Sequence, residues 1–131
     1  MSGKKILVVE DDPDMRRALH IRLQAHGYET AWACDAVSAI SQACSEKPDL
    51  VLLDLGLPGG DGFMVMVRLR ALSPLALLPI IVVSAREEAP NRDRARRAGA
   101  TGYFRKPVDA DILASGIRRV LAGERLWGPD P

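Results

Sequence analysis

Several polar residues stand directly after runs of apolar ones, and their types suit one kind of chemistry. Ile6-Leu7-Val8-Val9 is followed by Glu10-Asp11-Asp12, Leu50-Val51-Leu52-Leu53 by Asp54, and Ile80-Ile81-Val82-Val83 by Ser84. A weaker run, Thr101 to Arg105, leads into Lys106-Pro107. Two carboxylates 4 Å apart at an effective dielectric of about 20 repel by roughly 4 kcal/mol. If Glu10, Asp11 and Asp54 share one site, they therefore call for a cation. Mg²⁺ (or Mn²⁺) suits a set of one or two carboxylates, a carbonyl and waters. Lys106 adds a mobile positive charge. Such a set fits phosphoryl transfer, where catalysis is mostly positioning and charge neutralisation. An aspartate such as Asp54 can then serve as the nucleophile.

These residues meet only if the runs are neighbouring strands whose ends share one edge. Each run is too short for a helix and reads as a strand buried on both faces, as in a parallel sheet. Glu29 to Ala33 and Thr101 to Arg105 are less apolar, as edge strands can be. Helical patterns lie between. Met15, Leu19 and Leu23, with Ala18 alongside, predict a first helix over 13–26, with Asp12 as N-cap, Pro13 at its first position and Gly27 closing it. Val37, Ile40 and Cys44 mark a second helix. A third runs from about Gly62 to Leu72, after a tight turn of Pro58, Gly59, Gly60, Asp61 and Gly62. The fourth, around 87–98, has an apolar face of alanine alone and holds Arg92, Arg94, Arg96 and Arg97. The fifth carries Ile112-Leu113, Gly116-Ile117 and Val120-Leu121. The alternation predicts an α/β fold, a doubly wound five-stranded parallel sheet with five helices. In such a sheet, ligands bind beyond the carboxyl ends of the strands.

The composition agrees with one globular domain. The chain has 131 residues, 47% hydrophobic and 27% charged, enough apolar material for a single core. A formal charge of +1 supplies no global field for nucleic acid or an anionic membrane. Cys34 and Cys44 form no disulfide framework and lack metal-ligand spacing. His20 and His26 read as surface residues, and Trp32 and Trp127 carry no motif. No signal peptide or membrane span is visible, so the cytoplasm is the expected compartment.

VVEDD, LLDLGLPGGDG, VVSA and GYFRKP, in this order, resemble the receiver domain of two-component response regulators, the CheY-like family. The resemblance covers residues from about 4 to 122. It implies the flavodoxin-like strand order 2-1-3-4-5, with residues 3–122 as the receiver and 123–131 as a tail or the start of a linker. It also implies roles. Asp54 is the phosphoacceptor. Asp11 is a direct metal ligand, Glu10 acts through water, and the Gly56 backbone carbonyl completes the set. Ser84 bonds a phosphoryl oxygen and Lys106 pairs with the phosphoryl group, its bond to Pro107 being cis. Tyr103 is the aromatic switch residue that moves inward as Ser84 shifts. Gly56 and Arg86 occupy positions that tune hydrolysis in relatives.

On this resemblance the chain is a self-phosphorylating and self-dephosphorylating switch, not an enzyme with a small-molecule substrate. A sensor histidine kinase or a phosphotransfer protein supplies the phosphoryl group. The face formed by the fourth helix, fifth strand and fifth helix then changes its packing. A phosphorylation-dependent homodimer is one expected outcome, although Thr101-Gly102 replaces the acidic pair that precedes the switch aromatic in winged-helix regulators. No basic recognition helix is present, so no nucleic acid is expected to bind this chain itself. The output is a partner protein or a domain of a longer transcriptional regulator; the stretch Val120 to Arg125 resembles the end of receivers that precede helix-turn-helix outputs. Two other classes fare worse. A flavodoxin-like cofactor-binding module needs a phosphate-cradling loop after the first strand, where three acids stand. An aspartate-based phosphohydrolase carries its nucleophile in a D-x-D pattern after that strand, whereas Asp54 follows the third.

Overall fold

The computed structural model describes residues 3–58 and 60–127. Gly59 of the expected turn and residues 128–131 of the expected tail lie outside the described residues. Five strands, β1 (Lys5–Val9), β2 (Glu29–Ala33), β3 (Leu50–Leu53), β4 (Ile80–Ser84) and β5 (Gly102–Arg105), form one parallel sheet. Their order is β2-β1-β3-β4-β5. The three apolar runs are thus the inner strands, buried along both faces, and the two weaker runs are the edges.

The helices are α1 (Pro13–Ala25), α2 (Ala36–Glu46), α3 (Gly62–Ala71), α4 (Glu88–Arg97) and α5 (Ala110–Leu121). The apolar side chains of the inner strands alternate between two cores. Leu7, Val9, Val51, Leu53 and Val82 pack with α2 and α3, while Ile6, Val8, Leu52, Ile81 and Val83 pack with α1 and α5. Asp12 caps α1 by accepting from the Asp14 N–H at 2.9 Å, as its place before Pro13 predicts. Gly27 beyond the helix has φ 86°, a left-handed conformation that glycine adopts without strain.

Three sequence expectations change. In α2 the buried face is Ala36, Ala39 and Ala43, while Val37 is 69% exposed and Cys44 is exposed too. Small side chains let the helix lie close to the sheet, so the bulky ones are turned outward. On α1, Ala18 is exposed. His20 is not a bare surface residue: its Nδ1 lies 2.6 Å from Thr30 Oγ1, and its ring stands 5.0 Å from that of Trp32.

Two small elements add to the pattern. Gly56–Leu57 and Gly60–Asp61 pair antiparallel before α3, where the sequence predicts only a turn. A 3₁₀ turn at Ser73–Leu75 follows α3. After α5 the chain crosses the open edge of β5, where the Leu126 N–H donates to the Thr101 carbonyl at 2.9 Å.

Candidate functional site

The backbone ladder continues past the strands and carries the polar residues with it. The Glu10 N–H donates to the Ala33 carbonyl at 3.0 Å, the Asp54 N–H to Val9 at 3.1 Å, and the Lys106 N–H to Ser84 at 2.9 Å. Adjacent parallel strands in register therefore deliver Glu10, Asp11, Asp54, Ser84 and Lys106 to one rim of the sheet.

At that rim Glu10, Asp11 and Asp54 each offer a carboxylate oxygen within 4.8 Å of the others. Lys106 Nζ donates to Glu10 Oε1 and, at 3.2 Å, to Asp54 Oδ2. The other oxygen of Asp54, Oδ1, accepts from the Gly56 N–H at 3.1 Å. Glu10 is buried, Asp54 half-buried and Asp11 exposed, so the cluster opens outward on the Asp11 side. Burial pushes the Glu10 carboxyl above the ordinary glutamate value, against the hydrogen bond from Lys106 and with the charge of Asp54. Burial alone would lower Lys106, but the hydrogen bond to Glu10 and the charge of Asp54 outweigh it and hold the ammonium above the ordinary lysine value. Lys106 is therefore charged at neutral pH.

Glycine is required where the start of α3 meets the backbone of Asp54. A Cβ on Gly62 would lie 2.6 Å from the Asp54 carbonyl oxygen and 2.7 Å from Leu55 Cα. The start of α3 thus closes directly on the backbone that carries Asp54. Asp61 caps that helix, accepting from the Phe63 N–H at 2.9 Å. The space around Gly56 is open, with no atom within 4 Å of where its Cβ would stand.

Ser84 is buried, and its Oγ accepts from the Arg86 N–H at 3.2 Å. A hydroxyl that accepts one bond still has a proton to donate. Tyr103 is also buried and lies inward, its hydroxyl donating to the Arg86 carbonyl at 3.1 Å. It stands against the loop after β4, not within the acid cluster. The Lys106–Pro107 peptide is cis, as the resemblance implies.

Some site residues carried no signal in the sequence. Arg16, from α1, donates to the carbonyls of Glu10 at 2.8 Å and Asp11 at 3.2 Å, holding the acidic loop by its backbone. Backbone acceptors leave no residue-type signature, so spacing could not have found it. Asp61, read only as a turn residue, also pairs with Arg86 at 3.1 Å.

The donors fit a hard divalent cation. All are oxygens, they converge within one ion's reach, and they carry more negative charge than Lys106 offsets. Among the described residues no helix is long and apolar enough to cross a membrane.

Comparisons with known proteins agree with this geometry. The chain is 34% identical over 119 residues to protein PilH of Pseudomonas aeruginosa, covering 91% of this chain and 98% of that protein. It is 37% identical over 128 residues to the transcriptional regulatory protein KdpE of Mycobacterium tuberculosis, covering 95% of this chain but only 55% of the regulator. Among solved structures, the receiver domain of sensor histidine kinase PA1611 from P. aeruginosa, with magnesium coordinated in its active-site cleft, matches with a TM-score of 0.84 and 28% identity, over 92% of this chain and 99% of that one. Receiver domains of this kind interact with sensor histidine kinases. The model of the response regulator receiver domain matches residues 6–118, a span that contains every rim residue described above, and the chain therefore belongs to the receiver domains of two-component response regulators.

Proposed function

We propose that Asp54 accepts a phosphoryl group from phosphohistidine on a sensor histidine kinase or a phosphotransfer protein, and that this modification is the signal the chain transmits. The observation that carries the reading is the seat of Lys106 between Glu10 and Asp54, with Asp11 completing the carboxylate cluster. A carboxylate oxygen of Asp54 attacks phosphorus. The P–N bond to the donor imidazole breaks, and its electron pair stays on that nitrogen. Asp11, Asp54 and the Gly56 carbonyl would hold Mg²⁺ (or Mn²⁺), with Glu10 reaching it through water. The ion supplies offsetting charge on the transferred group.

The chain's own residues do the remaining work. Lys106, held charged, offsets negative charge on the phosphoryl oxygens. The Gly56 N–H and Lys106 aim the Asp54 carboxylate before reaction, so little ordering is left for the transition state. Ser84 donates its free proton to a phosphoryl oxygen. That draws in the loop tied to Tyr103 through Arg86 and biases the packing of α4, β5 and α5. The receiver on this reading spans residues 3–122, with 123–131 as a tail or the start of a linker, and works in the cytoplasm.

The KdpE match, which covers 55% of that regulator, supports a second reading of output: the same receiver as one part of a longer transcriptional regulator. A phosphorylation-dependent homodimer would use the α4–β5–α5 face. Incubation with Mg²⁺ and acetyl phosphate, followed by intact mass measurement, tests the acceptor. The native chain should gain one phosphoryl mass and Asp54→Asn none; a phosphorylated Asp54→Asn would overturn the assignment.

A further inference from the structure

Residues 124–127 do not trail away from the domain. They wrap the open edge of β5 and join both cores. Leu126 packs with the residues on the α1 and α5 side, Trp127 with those on the α2 and α3 side. The Leu126 N–H donates to the Thr101 carbonyl at 2.9 Å, and the Trp127 Nε1–H to the Ala100 carbonyl at 2.9 Å. Leu126 fills a hollow that exists because its floor is glycine: a Cβ on Gly102 would stand 2.8 Å from Leu126 Cδ1, and one on Gly116 3.3 Å from it. The fit is built from both sides.

The far end of this strap touches α4. The Arg92 guanidinium lies 5.2 Å from the Trp127 ring centroid, a cation–π distance. α4 has Ala95 as its one fully buried hydrophobic residue, and Arg94 stacks over Phe63 at 3.9 Å. Its N-terminus follows directly on the loop of Arg86, whose N–H is tied to Ser84 Oγ and whose carbonyl is tied to the Tyr103 hydroxyl.

We propose that residues 124–127 form a clasp over the β5 edge whose hold is coupled to the state of Asp54, weakening when Asp54 is phosphorylated. This rests on the reading of Asp54 as phosphoacceptor. Leu126 and Trp127 are hydrogen-bonded to the segment leading into β5, while Arg92 rides on α4. When Ser84 turns to a phosphoryl group, the loop at Arg86 follows and takes the start of α4 with it. Arg92 then moves relative to a tryptophan that stays bonded to Ala100, and the contact between them is lost. Coupling is reciprocal: removing the clasp must favour the phosphorylated arrangement by the factor by which phosphorylation loosens the clasp.

The test uses the whole chain, loaded with acetyl phosphate and Mg²⁺ and checked by intact mass. Amide exchange at Leu126 should quicken by about fivefold or more on loading. Trp127 emission, followed in a Trp32→Phe background, should shift to the red. In a titration with beryllium trifluoride, a phosphoryl mimic, Trp127→Ala should bind more tightly by a similar factor. Full loading with unchanged Leu126 exchange overturns the clasp and leaves the acceptor reading intact. Failure to load overturns both. Unchanged mimic affinity in a folded Trp127→Ala overturns the coupling, and if that variant does not fold, exchange in the unaltered chain decides.

Discussion

The Arg86 guanidinium reaches Asp61 at 3.1 Å and the Leu55 carbonyl at 3.3 Å, pinning the loop after β4 to the turn that leads into α3. The Arg86 and Asp61 side chains are each more than a third exposed, so the ion pair adds little to stability, about 0.5 kcal/mol or less. Its effect falls on access. The guanidinium holds the carbonyl of the residue that follows Asp54, a place from which it would hinder a water approaching a phosphoryl group there.

Arg86→Ala should therefore shorten the phosphoryl lifetime on Asp54, by about threefold, which corresponds to about 0.7 kcal/mol of barrier. Loss of label after removal of acetyl phosphate, timed by intact mass, measures it. An unchanged decay would remove Arg86 from control of hydrolysis.

Lys106→Met keeps most of the length of the side chain and deletes its charge. Glu10 is then left buried without its cation, and stability in urea at pH 7 without divalent ions should fall by about 2 kcal/mol. Added Mg²⁺ should recover part of that loss, because an ion that binds only the folded chain stabilises it by mass action. Phosphorylation by acetyl phosphate should slow at least about tenfold.

Gly62→Ala places a methyl group against the main chain of Asp54 and Leu55, at 2.6 and 2.7 Å. Backbone cannot yield as a side-chain tip can. A cost of about 3 kcal/mol is expected, read as a lower urea midpoint, and phosphorylation should fall with it as Asp54 is pushed from its place.

Asp35 caps α2, accepting from the Ser38 N–H at 2.7 Å. That bond holds its carboxyl below the ordinary value of 3.8. A depressed folded-state value means the cap's contribution is complete above the unfolded value and is lost as pH falls through the folded one. The native chain should thus exceed Asp35→Ala in melting temperature by a constant margin at neutral pH. The margin should shrink only below about pH 4. A constant margin down to pH 2 would contradict this.

What could be read from the sequence was whatever burial writes into residue type. The inner strands are unbroken apolar runs because both faces are covered, and their ends place Glu10, Asp54 and Ser84 without further information. α2 was legible as a helix but not in its orientation. Hydropathy favours Val37 and Cys44 over Ala36, Ala39 and Ala43, whereas close approach to the sheet favours the alanines. Arg16 acts on carbonyls that every residue possesses. The Asp61–Arg86 pair and the Trp127–Arg92 contact join surface residues far apart in sequence, where no periodicity links partner to partner.

Glu10 and Lys106 are 96 residues apart, one leaving the first strand and the other the last, with Asp54 leaving the third. No partially folded chain can own this centre, since its residues come from strands far apart in the sequence. On the reading of Asp54 as phosphoacceptor, competence to be modified is thereby a certificate that the sheet has formed from its first strand to its last.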